Sequence, residues 1–223
     1  VDFQIIVNER GGWVDQTNPE TKIENPKFDG TVKRGSATCS CCGYTTPVTR
    51  VREQLKTRRG GTNDARLLCV VTTQVSEQGR LYRSPTSRDA KAVTGAQAEV
   101  DRRSSTHGGE LSLFPDEEIC LNEIRRISLP LYGMTTWGDM FSKRQHLALT
   151  TVARFVRELS AKQVSANEAC PPIVLGTLLA LVVDRLADSL SSSVTWTPGG
   201  EFQGHTFTRQ ALAFVSDFAE VNP

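Results

Sequence analysis

The stretch GSATCSCCGYTTPVTR, Gly35 to Arg50, decides how the first half of the chain is read. It places Cys39, Cys41 and Cys42 within four positions. Cys39 and Cys42 have the Cys-x-x-Cys spacing with which a tight turn offers two sulfurs to one zinc ion, and Gly43 supplies the backbone freedom that turn needs. Cys41 is able to replace either ligand in principle, but the two-residue gap favours Cys39 with Cys42. Tetrahedral zinc takes four ligands, and no second pair is visible. Cys69, Cys120 and Cys170 stand singly, and His107, His146 and His205 have no matching neighbour. Three readings stay open: a site closed by scattered ligands, a half-site completed from outside the chain, or a reduced surface turn without metal.

Around this knuckle the charge is strongly local. Lys33, Arg34, Arg50, Arg52, Lys56, Arg58, Arg59 and Arg66 face only Glu53 and Asp64 in the same segment. The first seven of these cations are the candidate nucleic-acid contacts, because each neutralised phosphate adds salt-dependent affinity. A solvated helix face has the same composition. The whole chain, with a net charge of +1, carries no general nucleic-acid signature.

Further outward, residues 1–100 read as β-rich. VDFQIIV has strand character, and RLLCVVTTQV with RLYRSP reads as a hairpin whose second strand stops at Pro85. Between knuckle and hairpin, Val48, Val51 and Leu55 share one helical face that ends at Gly60-Gly61. Residues 86–110 read as a short helix and a polar, glycine-closed loop, the candidate boundary.

Residues 101–223 read as helical. PDEEICLNEIRRI opens with Pro115 and three carboxylates and closes with Arg125 and Arg126, the polarity a helix dipole favours. Ser142 and Gln145 form a capping box for a helix with Ala148, Val152, Phe155, Val156 and Leu159 on one stripe. PPIVLGTLLALVVDRLADSL is apolar nearly all round and is expected to be the buried central helix. TFTRQALAFVSDFAE is expected to form a last helix with Phe207, Ala211, Phe214, Val215 and Phe218 on one face. The expected fold class is therefore α+β: a β-rich zinc-ribbon-like part followed by a helical part.

At 223 residues with 38% hydrophobic side chains, the chain has the composition of a globular protein with its own core. The longest apolar run, Ile173 to Val183, is too short to cross a bilayer. The opening VDFQIIVNER lacks a basic leader and cleavage site, so a cytoplasmic location is expected, which suits crowded unpaired thiols. Both ends read as cut from something longer. Asp184 and Asp188 stand one helical turn apart, a spacing used in metal or acid–base sites but also common where an apolar helix turns polar. His146 reads as structural. No phosphate-cradling GxxxxGK[ST] or GxGxxG occurs.

GTVKRGSATCSCCGYTTPVTRVREQL with RRGGTNDARLLCVV, together with YGMTTWGDMFSKRQHLALTTVARFVREL, LALVVDRLADSLSSSVTWTPGGE and TFTRQALAFVSDFAEVNP, resembles the adenine-specific DNA methylases that contain a zinc ribbon. The likeness covers nearly the whole chain and is most specific in GDMFSKRQ and DFAEVNP. It implies a parent enzyme that transfers a methyl group from S-adenosylmethionine to adenine N6. In the family a DPFAG-like cofactor loop lies upstream and an Asp-Pro-Pro-Tyr motif downstream, and neither occurs in this chain. The resemblance thus implies an internal accessory segment, for target recognition or as a lid, inactive by itself. Its partners would be DNA and the remainder of the methylase chain. The family's other Cys-x-x-Cys also lies upstream, which implies that the zinc site is divided and that this segment alone has lost the metal's other half. Cys41 stands where the family has another residue. The alternatives are a stand-alone nucleic-acid-binding or protein-interaction module without catalysis, and a structural insert whose apolar helix packs on the methylase core.

Overall fold

The structure, a computed structural model, describes residues 4–9, 12–16, 18–24, 26, 30–73, 79–123, 125–166, 172–208 and 210–221. It is a mixed helix-and-strand fold with small antiparallel sheets. The chain divides into two compact units, Val1–Gln54 with Arg66–Ala92, and Leu55–Ala65 with Val93–Pro223.

The first unit is built from hairpins. β1 (Ile6–Glu9), β2 (Gly12–Asp15) and β3 (Asn18–Ile23) form an antiparallel meander in which Val7 faces Val14 and Trp13 faces Ile23. β4 (Val32–Lys33), β5 (Ser36–Thr38) and β6 (Thr45–Thr46) form a second. β4 and β5 are joined by Arg34 and Gly35, both left-handed at φ 51° and 84°, the two-residue turn whose twist matches paired strands. α1 (Val48–Lys56) follows, with Val48, Val51 and Leu55 half-buried, as their spacing predicts. β7 (Val70–Thr72) pairs antiparallel with β8 (Leu81–Arg83), the expected hairpin, although residues 74–78 of its connection lie outside the described residues.

α2 (Ser87–Thr106) runs further than the short helix expected. Its start is held by Thr86 and Asp89, which exchange backbone-to-side-chain hydrogen bonds of 2.7 and 3.4 Å. Arg83 grips the same carboxylate with two bonds of 2.7 and 3.0 Å, so these hydrogen bonds hold Asp89 far below the usual carboxylate range.

The second unit holds the hydrophobic core: Ile119, Leu129, Met134, Met140 and Leu212, with Ile127, Trp137, Phe141 and Phe214 packed against them. Glycines let backbones meet around it. A Cβ on Gly133 (φ +94°) would lie 2.5 Å from the Lys56 Cα, and one on Gly138 would lie 2.6 Å from the Pro115 carbonyl oxygen, which accepts the Gly138 N–H at 2.7 Å. α3 (Lys143–Ala166) begins at the expected box: the Ser142 N–H donates to Gln145 Oε1 at 2.8 Å and the Gln145 N–H to Ser142 Oγ at 3.2 Å. α4 (Pro172–Ser189) packs on α3, and a short hairpin of β9 (Trp196–Thr197) and β10 (Phe202–Gln203) follows.

Three expectations are corrected. The described residues of 115–126 form no α-helix: Ile119 donates its N–H to the Thr135 carbonyl at 2.8 Å, Leu121–Glu123 make one short turn, and Arg125 and Arg126 lie in another. The described residues of 206–220 form no helix either. Leu212 bridges Ile127, donates to the Arg126 carbonyl at 2.7 Å and accepts from Ser128 at 2.9 Å, and Ala219 donates to Val194 at 2.8 Å. These tertiary hydrogen bonds outweigh local helix propensity. Finally, α4 is not the buried central helix. Leu175, Leu179, Val183 and Leu186 are half-buried, while Ile173, Val174, Leu178, Leu181 and Val182 are exposed.

Candidate functional site

The knuckle is the tip of the β5–β6 hairpin. Thr38 faces Thr45, and just beyond them the Cys39 N–H donates to the Tyr44 carbonyl and the Gly43 N–H to the Cys39 carbonyl, both at 2.9 Å. Gly43 closes the turn at φ +72°. Strand pairing thus fixes the turn that the spacing alone only suggests.

Within that turn the backbone amides of Cys42 and Cys41 hydrogen-bond to the Cys39 sulfur, and the Cys42 thiol adds to them. Donors around a sulfur favour its anionic form, so the Cys39 thiol is lowered below the ordinary thiol value. Cys39, Cys41 and Cys42 are all solvent-exposed. Amide-supported sulfur on an exposed turn is what a metal ligand needs, and two thiols suit half of a tetrahedral zinc site. Among the described residues, no group of three or more Cys, His, Asp or Glu converges as a metal site. Cys120 is exposed. Cys69 lies half-buried beside β7, where burial raises its thiol, and Cys170 is outside the described residues.

The seven candidate phosphate contacts divide between the units. Lys33 and Arg34 sit at the β4–β5 turn and Arg50 and Arg52 on α1, all in the first unit, while Lys56, Arg58 and Arg59 belong to the second. The two acidic residues of the segment each take one arginine. Arg50 pairs with Glu53 at 3.0 Å and Arg58 with Asp64 at 2.7 Å, both exposed pairs that solvent weakens. Arg59 is more firmly engaged, 2.8 Å from Asp139, whose side chain is only 9% exposed. The other Asp139 oxygen accepts the N–H groups of Thr135 and Thr136 at 2.8 and 2.9 Å. Arg59 therefore fastens the Gly60-Gly61 turn to the core of its unit. Tyr44, 66% exposed beside the knuckle, is a candidate aromatic side chain that charge counting overlooks; its place in CGY was the available signal.

GDMFSKRQ and DFAEVNP meet in the second unit. Arg144 lies 2.8 Å from Glu220, and the Ser142 hydroxyl donates to the same carboxylate at 3.4 Å. Burial nevertheless raises the Glu220 carboxyl above its ordinary value, against the pull of Arg144. His146 is structural, as expected: its ring stacks on Phe114 with centroids 4.1 Å apart, and burial lowers its pKa to about 4. Asp188 is engaged by Arg185 (2.8 Å), His205 Nδ1 (3.1 Å) and the Phe207 N–H (2.9 Å), while Asp184 is exposed. Asp188 thus ties the end of α4 to the following segment.

The second unit also contains a cleft of about 530 Å³. Its cations, Arg59 and Lys143, are outnumbered by Asp101, Glu110, Asp116 and Asp139. An acidic lining repels phosphate, which leaves the exposed cations as the better nucleic-acid candidates. Among the described residues no helix is long and apolar enough to cross a membrane.

Compared with known protein families, curated proteins and solved structures, the chain finds no match.

Proposed function

We propose that this chain is an accessory, DNA-contacting segment of an S-adenosylmethionine-dependent DNA adenine-N6 methyltransferase, with a β-rich half zinc ribbon preceding a helical part. The observation that carries the reading is the Cys39–Tyr44 tip, where two backbone amides support the Cys39 sulfur and Cys42 stands at knuckle spacing. The resemblance of the surrounding words to zinc-ribbon methylases gives that tip its setting. Cys39 and Cys42 would supply two thiolates, and zinc bound there would lock the hairpin tip. Lys33, Arg34, Arg50 and Arg52, with Lys56 and Arg58, would take phosphates, and exposed Tyr44 would stack on a base. Cofactor binding and methyl transfer belong to the remainder of the methylase chain. Reaching adenine N6 requires the base to leave the stack, and an accessory segment contributes by holding the distorted duplex.

The test is fluorescence anisotropy with labelled duplex DNA across a salt series. Binding whose log–log salt slope is roughly −5, as six phosphate contacts require, weakened about tenfold by the double change Arg34→Ala and Arg50→Ala, is expected. Absence of binding at low salt would overturn the DNA-contact reading, and methyl transfer by this chain alone would overturn the division of labour. A second reading, a protein-interaction module, is favoured by the exposed apolar face of α4.

A further inference from the structure

α4 contains no charged residue from Pro172 to Val183, yet only one side of it is covered. A Cβ on Gly176 would lie 2.9 Å from Ser160 Oγ, which places α3 close against that side. On the other side, Ile173 is 78% exposed, Val174 45%, Leu178 56%, and Leu181 and Val182 58% each. α3 extends the same kind of surface with Phe155 and Leu159, both 49% exposed. At on the order of 100 Å² exposed apiece, these seven side chains approach the ~800 Å² that each partner contributes to a standard interface. Monomers seldom leave a large contiguous apolar surface in water, and the five α4 side chains share one face of a single helix.

The pattern within the face selects its occupant. Val174, Leu178 and Val182 lie four residues apart, a single ridge along the helix that reads the same from either end: valine, leucine, valine. In a two-fold contact residue i of one copy meets residue j of the other, and j meets i in turn. With Leu178 on the axis, Val174 of one copy meets Val182 of the other, and equal side chains fill equal grooves. Ridges of i±4 spacing interdigitate when helices cross at about 50°. Phe155 and Leu159, also four apart, are exposed on α3, where the Arg154 guanidinium lies 5.2 Å from the centre of the Phe155 ring. The run Pro172–Val183 carries no charge, so two copies meet along it without repulsion, and Asp184, Arg185 and Asp188 lie beyond it at the C-terminal end of α4.

We propose that the α3–α4 hairpin is a homodimer interface, formed by two antiparallel copies of α4 crossing at Leu178. The proposal is independent of the methylase reading, since it rests on the exposed apolar side chains of α3 and α4.

Sedimentation velocity of the full chain over a concentration series tests it. The expected result is a species of twice 24.5 kDa that Leu178→Glu converts to monomer with an unchanged circular dichroism spectrum. A second variant keeps the test decisive if the first misfolds. Leu178→Cys, in a chain whose exposed Cys39, Cys41, Cys42 and Cys120 are changed to Ser, should cross-link to itself on mild oxidation. Thr177→Cys in the same background should cross-link at least fivefold more slowly. A chain that stays monomeric at 100 µM, a dimer indifferent to Leu178→Glu, or equal cross-linking from both cysteine positions would overturn the proposal. Each of these outcomes would assign the face to a different partner.

Discussion

Two distinctive words in this sequence, CSCCGY and GDMFSKRQ, occupy opposite physical situations. The first is an exposed hairpin tip whose three thiols face solvent. The second is almost wholly consumed by its own fold. Gly138 lies against Pro115, Asp139 accepts Thr135, Thr136 and Arg59, Met140 is 1% exposed, and Gln145 returns a bond to Ser142. A specific motif is thus no guide to chemistry by itself. What separates the two is whether the polar groups are still available after folding.

The contrast is sharpest in stability, and Met140→Ala should show it most. Emptying a fully buried methionine site in the core costs about 3 kcal/mol, read as a lowered midpoint in urea at constant slope. A loss below about 1 kcal/mol would mean that GDMFSKRQ is not the packing hub described.

Acid should reach the same region next. His146 is held neutral with a pKa of about 4, whereas an unfolded histidine takes its proton near 6.5. The unfolded chain therefore binds more protons between these values, and stability present above about pH 6.5 is lost as pH falls to about 4. The loss is about 3 kcal/mol at most, and His146→Phe, which retains a ring to stack on Phe114, should flatten it. Glu220 acts in the opposite sense. Its raised carboxyl makes the fold gain protons first, so its contribution falls as pH rises through its folded value. If wild type gains stability on acidification, Glu220 outweighs His146.

Asp139→Ala should cost about 2 kcal/mol, because it strands two backbone N–H groups as well as Arg59. Arg59→Ala should cost less, since its side chain is 60% exposed. Equal losses would place the value of this carboxylate in the ion pair rather than in the turn. At the small end, Cys42→Ser in metal-free protein should change stability by less than about 0.5 kcal/mol, because the tip buries nothing. Any zinc that the wild-type chain holds after dialysis should be lost with the same change, measured by metal analysis.

Local elements were largely legible in the sequence. The Cys39–Tyr44 turn, the β7–β8 hairpin, the α1 stripe and the Ser142–Gln145 box each depend on residues a few positions apart. What could not be read depends on partners distant in sequence. Residues 115–126 carry helix-like end charges, and 206–220 carry a helix-like apolar stripe. Yet Ile127 and Leu212 meet in a bridge across the unit, and the hydrogen bonds around it replace those a helix would make. For α4, periodicity reported that every side was apolar but not that one side would stay uncovered. The candidate cations were visible as a count, while their division between two units and the engagement of Arg59 by Asp139 needed coordinates.

The amides that support the Cys39 sulfur also give that atom a second fate. A thiol poised to lose its proton is the form that binds metal, and it is equally the form that oxidants and alkylating agents attack. Cys42, three positions on, is placed to trap an oxidised Cys39 as a disulfide. Zinc bound at this turn would compete with oxidation for one sulfur, so the redox state of the surroundings would set how much of the chain could take up the ion.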